Sequence, residues 1–157
     1  MTRDVQSMSQ NNLSVTGWNR AEKTITFAGG TTNATGDHDG TGDPFSIFTV
    51  TGTVIAKIVG ICSTSIVGAG TIEVGIAGNT AGLLAQVADA EDIDAGDIWH
   101  DATVDKGIEL SSVLLENIIA NGADIIGTVG TANMTAGVIK FICLWKPLSA
   151  DGDLVAA

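Results

Sequence analysis

The chain has 157 residues, 45% of them hydrophobic, and seven Lys or Arg against eighteen Asp or Glu give a formal net charge of −11. That length suits one domain, which buries roughly 70% of the surface its unfolded chain exposes, so a core can form without metals or disulfide staples. The acidity repels phosphate backbones and anionic lipid headgroups, and so disfavours nucleic-acid binding and adsorption to membranes.

Gly, Thr, Ala, Ile and Val dominate, Tyr is absent, and only 16% of residues are charged. β-Branched side chains pack well on a pleated surface, so the expected fold class is all-β. Residues 1–14 (MTRDVQSMSQNNLS) are polar and aperiodic. They read as an extended, flexible N-terminal arm that could order by pairing with a neighbouring chain's strand edge. They lack the apolar run of a signal peptide, and the longest apolar runs, 54–62 and 137–145, are each broken by a lysine, Lys57 and Lys140. Neither approaches the ~18 apolar residues of a membrane span. Synthesis in a cytoplasm is expected, with residues 15–157 forming a single β-sandwich domain after the arm.

In chain order, residues 24–27 read as a short strand. Residues 29–43 (GGTTNATGDHDGTGD) contain nothing able to build a core and read as a long surface loop. Residues 45–54 and 54–64 are strand-like, with Gly52 as a bend or bulge. In the second run Ala56, Ile58 and Cys62 share one face, and Ile55, Lys57, Val59 and Ile61 share the other. Both faces are largely apolar, which suggests a central strand covered on both sides, once by a sister subunit. Residues 71–76 alternate, with Ile72, Val74 and Ile76 inward and Thr71, Glu73 and Gly75 outward. Residues 83–90 read as a strand followed by a helical turn near 90–94.

Two β-rich runs within 113–129 flank Asn121-Gly122, the dipeptide suited to the positive φ angles of a tight hairpin, so a hairpin is expected there. In 137–147, Ile139, Phe141, Cys143 and Trp145 face one way, and Val138, Lys140, Ile142, Leu144 and Lys146 the other. Pro147 ends the strand because it offers no ladder donor. About eight strands with closely spaced turns predict a two-sheet antiparallel sandwich or jelly roll.

No chemical signature accompanies this pattern, and no residue is assigned as catalytic, cofactor-binding or metal-binding. Phosphate loops and the nucleophile elbow are missing, and the two cysteines and two histidines (His38, His100) are too scattered in sequence for a zinc site. Asp37, Asp39 and Asp43 in a Gly-rich loop could wrap a hard cation such as Ca²⁺, or simply be a solvated turn; an EF-hand fails because its twelfth position is Phe48. Asp94, Asp97, His100 and Asp101 could be cast as an acid–base set, but Ile93, Ile98 and Trp99 among them also fit a connection pinned by core side chains. Cys62 and Cys143 read as buried free thiols, with a disulfide or a catalytic thiol as alternatives. Lys57 and Lys140 either extend along the surface to water or meet carboxylates across a subunit interface.

Three stretches carry a resemblance: residues 78–86 (GNTAGLLAQ), residues 97–103 (DIWHDAT) and the C-terminal IKFICLWKPLSADGDLVAA. Together they resemble small structural proteins of tailed-bacteriophage virions, over roughly the last two-thirds of the chain. The family includes capsid decoration or cement proteins, and the resemblance implies a non-enzymatic protein that binds the outside of a shell as a homotrimer, with the major capsid protein as partner. It implies location at the virion's capsid surface after synthesis in the host cytoplasm. A module binding host carbohydrate on the phage surface is the competing expectation; the absence of Tyr weighs mildly against it.

Overall fold

The computed structural model describes residues 17–157; the arm expected over 1–14 lies outside them. Eleven strands follow in order: β1 (Asn19–Thr26), β2 (Phe45–Thr51), β3 (Val54–Val67), β4 (Thr71–Ile76), β5 (Asn79–Val87), β6 (Asp97–Trp99), β7 (Val104–Lys106), β8 (Asn117–Ile119), β9 (Ile125–Gly130), β10 (Ala136–Pro147) and β11 (Asp153–Ala156). The first sheet runs β1-β10-β3-β6-β7, with β8 also on β3, and the second runs β11-β2-β9-β4-β5. Every pairing is antiparallel.

The chain switches sheets at seven of the ten connections between these strands. With β6 and β8 sharing one side of β3, the order β1-β10-β3-β6 faces β2-β9-β4-β5. This interleaving of consecutive strands between two sheets is that of a jelly roll, with β7 and β11 added at edges. The all-β sandwich read from composition is the fold observed.

Period-two patterning explains why the two sheets meet as they do. In β3, Val54, Ala56, Ile58 and Cys62 are buried, while Ile55, Lys57, Val59 and Ile61 are only half-buried. In β10, Ile139, Phe141, Cys143 and Trp145 are buried, and the residues between them half-buried. The inward sets join Ile47, Phe48 and Ile125 of the second sheet in one contiguous core. Trp99 and Phe141 meet edge-on inside it, with ring centroids 6.0 Å apart. Both cysteines are buried and free. Cys62 stands opposite Ile139, four residues from Cys143, or about 13 Å along β10, which excludes a bridge between them.

Several expectations require correction. The strand expected at 24–27 begins earlier, at Asn19. Asn121 and Gly122 do take positive φ, +58° and +69°, but they do not close a hairpin. Before them β8 pairs with β3 of the first sheet, and after them β9 pairs with β2 and β4 of the second. The turn carries the chain between sheets, held by Gly122 N–H donating to Gly52 O at 2.7 Å. A tight turn sets only the local reversal; which strand each arm joins is a tertiary matter. In β4, Ile76 is half-buried and Gly75 buried, because register shifts in the β4–β5 pair interrupt the alternation. The strand and helical turn expected around 83–94 are present as β5 and a 3-10 turn at Ala90–Asp92.

Candidate interaction face

The cross-strand register places the outward side chains of the first sheet in one surface. Arg20 and Lys57 lie opposite Leu144, Lys140 opposite Ile61, Lys146 opposite Ile55, and Val59 opposite Ile142. Ile98 of β6 extends the apolar row beside Ile61, and Ile118 of β8 extends it beside Ile55. Four of the seven Lys and Arg residues of a −11 chain therefore stand on one sheet face among Ile, Leu and Val.

Trp18 lies over this surface, with Lys146 Nζ 4.2 Å and Lys57 Nζ 4.6 Å from its ring centroid. Lys57 Nζ is also 3.5 Å from Glu116, and Lys140 Nζ 3.6 Å from Glu22, which also bonds Arg20. The hydrogen bond from Arg20 holds the Glu22 carboxyl below its ordinary range. Lys57 and Lys140, read from sequence either as reaching water along the surface or as meeting carboxylates across a subunit interface, find carboxylates within their own chain. Surface pairs of this kind contribute little, about 0–1 kcal/mol each.

Beside this face, residues 107–116 between β7 and β8 expose Ile108 (84%), Leu110 (72%) and Leu115 (71%), and Ile118 of β8 is 67% exposed. Several large apolar side chains exposed within one short segment are uncommon on the surface of a monomeric domain. Sequence reading missed it by treating 113–120 as strand; only Asn117–Ile119 is strand, and Ser111–Val113 forms a 3-10 turn. The available signal was that Ile108, Leu110, Leu114 and Leu115 follow no period able to turn them all inward.

Next to the segment is His100, whose side chain is only 8% exposed; Nε2 lies 2.8 Å from Asp105 Oδ2 and 3.8 Å from Glu109 Oε2, and Nδ1 lies 3.7 Å from Asp101 Oδ2. His100, Asp105 and Glu109 each offer a ligand-type atom, all within 4.8 Å of one another. Of these contacts the one to Asp105 of β7 is a hydrogen bond, and the same set of ligand-type atoms could take a small divalent ion.

Of the acid–base set read from sequence, only Asp101 lies beside His100. Asp94 and Asp97 face Lys106, at 3.7 and 3.5 Å, and Asp97 Oδ2 accepts from the Asp94 N–H at 2.9 Å. Asp101 instead accepts from the Thr103 N–H and hydroxyl, and the backbone bond lowers its pKa. Trp99 is in the core, its Nε1 donating to Ala85 O at 3.4 Å.

The glycine-rich segment 29–43 also differs from a free loop. Gly29 N–H donates to Met134 O and Met134 N–H to Gly36 O, which knits it to the strand entering β10. Asp37 is buried and accepts from the Asn33 N–H, His38 bonds Asn133, and Asp43 accepts from the Val129 N–H at 2.7 Å. Asp37, Asp39 and Asp43 do not converge; among the described residues the only cluster able to hold a cation is the one at His100. Asp37 and Asp43 instead serve as internal acceptors. No known family, curated protein or solved structure matches this chain.

Proposed function

We propose that this chain is a structural virion protein that decorates and stabilises a tailed-phage capsid, binding its outer surface as a homotrimer. The supporting observation is a sheet with apolar residues on both faces in a strongly acidic chain. One side of β3 and β10 fills the core. The other presents Ile55, Val59, Ile61, Ile142 and Leu144 half-buried, beside the exposed Ile108, Leu110, Leu115 and Ile118. Isolated apolar residues at a surface are ordinary, but a continuous row next to an exposed apolar segment favours a partner. The resemblance of residues 78–86, 97–103 and the C-terminus to tailed-phage virion proteins supplies the shell as partner, through its major capsid protein.

In this reading the protein works by burial. Sister chains cover the apolar surface, and the assembled trimer spans neighbouring capsid subunits and resists their separation. Acidity keeps the free protein soluble before docking. The test is light-scattering mass of the purified chain combined with sedimentation in the presence of empty shells. A mass of three chains and co-sedimentation with shells are the expected results. A monodisperse single chain that stays in the supernatant overturns the reading, and binding to a glycan array by that single chain would replace it with carbohydrate recognition.

A further inference from the structure

The chain's charges are segregated. Residues 58–105 contain no Lys or Arg, and within them Asp89, Glu91, Asp92 and Asp94 crowd one turn around the 3-10 element at Ala90–Asp92. That turn is tied to the far end of β3, through Ile66 N–H to Ile93 O and Gly68 N–H to Glu91 Oε1. Lys57 lies nine residues back along the same strand, about 30 Å away. Arg20, Lys57, Lys140 and Lys146 all project from the outer face of the first sheet. Glu22 and Glu116 partner three of them, and Lys146 lies over Trp18.

We infer that the occupant of this cationic, apolar face is a second copy of the chain, presenting its acidic 89–94 turn. The inference rests on the self-assembly reading above and specifies its geometry. The two surfaces are complementary in charge and different in composition. In a trimer such contact is head-to-tail: each copy offers its face to one neighbour and its turn to the other. Head-to-tail contacts close into rings when the rotation per copy permits.

The area is adequate. Twelve residues of β10 and four adjacent strands span about 40 Å by 19 Å, on the order of 700 Å². A standard interface takes about 800 Å² from each partner, and the exposed 107–118 segment adjoins this one. The apolar row supplies affinity, while the charges select which surfaces meet.

The test is a charge swap followed by mass and sedimentation velocity. Lys140→Glu with Lys146→Glu is expected to weaken assembly at least tenfold, leaving single chains at concentrations where the parent is assembled. Adding Glu91→Lys and Asp92→Lys to that variant is expected to restore the parent mass; an unaltered far-UV circular dichroism spectrum in both variants separates assembly from folding. A parent that is a single chain overturns the self-assembly reading itself. An assembled parent whose mass is indifferent to Lys140→Glu with Lys146→Glu overturns only the assignment of this face. Loss that the added lysines fail to repair overturns the assignment of the acidic turn.

Discussion

Lys146 holds its ammonium 4.2 Å from the centre of the Trp18 ring, which ties the residue leading into β1 to the outward side chains of β10. Lys57 of β3 approaches the same ring, at 4.6 Å. Each such contact contributes about 0.5–1 kcal/mol at an exposed site. Trp18→Ala is therefore expected to lower stability by about 1–2 kcal/mol, read from urea unfolding, while Trp18→Phe recovers part of the loss.

Phe45 stands opposite Gly127 in the β2–β9 pair, and a Cβ at Gly127 would lie 2.1 Å from the Phe45 ring. The glycine is a seat for the aromatic ring. Gly127→Ala should destabilise by about 1–3 kcal/mol through overpacking. Combining it with Phe45→Leu should cost less than the two separate losses summed, a coupling measurable in a double-mutant cycle.

Burial pushes the Cys143 thiol up to about 12 and raises that of Cys62 as well. At pH 8 a thiol of pKa 12 is thiolate in about one molecule in ten thousand. Neither cysteine should react with iodoacetamide in the folded protein, and both should react in guanidinium, as counted by mass spectrometry.

Asp43 is partly buried, which raises its pKa, while the bond from the Val129 N–H opposes the shift. A carboxyl whose folded pKa exceeds its unfolded value binds its proton more readily in the folded state. Its contribution to stability is present below the ordinary carboxylate pKa and is lost as pH rises through the raised folded value. Asp43→Asn keeps an oxygen acceptor for Val129 and removes the charge. At pH 7 the variant should match or exceed the parent by less than about 1 kcal/mol after solvent screening. Between pH 3 and 7 the melting temperature of the variant should gain on that of the parent as pH rises.

His100 hydrogen-bonds Asp105 at 2.8 Å and lies 3.8 Å from Glu109, at the start of the segment that follows β7. His100→Ala should raise hydrogen exchange at residues 107–116 at least tenfold while leaving β3 and β10 protected. Exchange that is unchanged in that segment would assign its order to the 3-10 turn at Ser111–Val113 instead.

How much was legible from residues alone differs element by element. β3 and β10 were readable because alternation with a two-residue period is a direct consequence of strand geometry. Their second apolar face was equally readable, since it is printed in Val59, Ile61, Ile142 and Leu144. The Asn121-Gly122 turn was legible as backbone, and its partners were not. That Asp94 and Asp97 turn to Lys106 while Asp101 stays beside His100 was also hidden, because the β6–β7 pairing places Lys106 opposite Asp97.

The amino-acid order by itself determined the strand class, the inward and outward sets of the long strands, the buried thiols and the acidic balance. These depend on side-chain volume, branching and charge, which act over a few residues. Tertiary structure alone decided that β8 and β9 join different sheets, that Arg20, Lys57, Lys140 and Lys146 share one surface, and that His100 meets Glu109. The reason is physical: strand pairing is chosen by burial across the whole core, and a register set by distant partners brings together charges that sequence keeps more than a hundred residues apart.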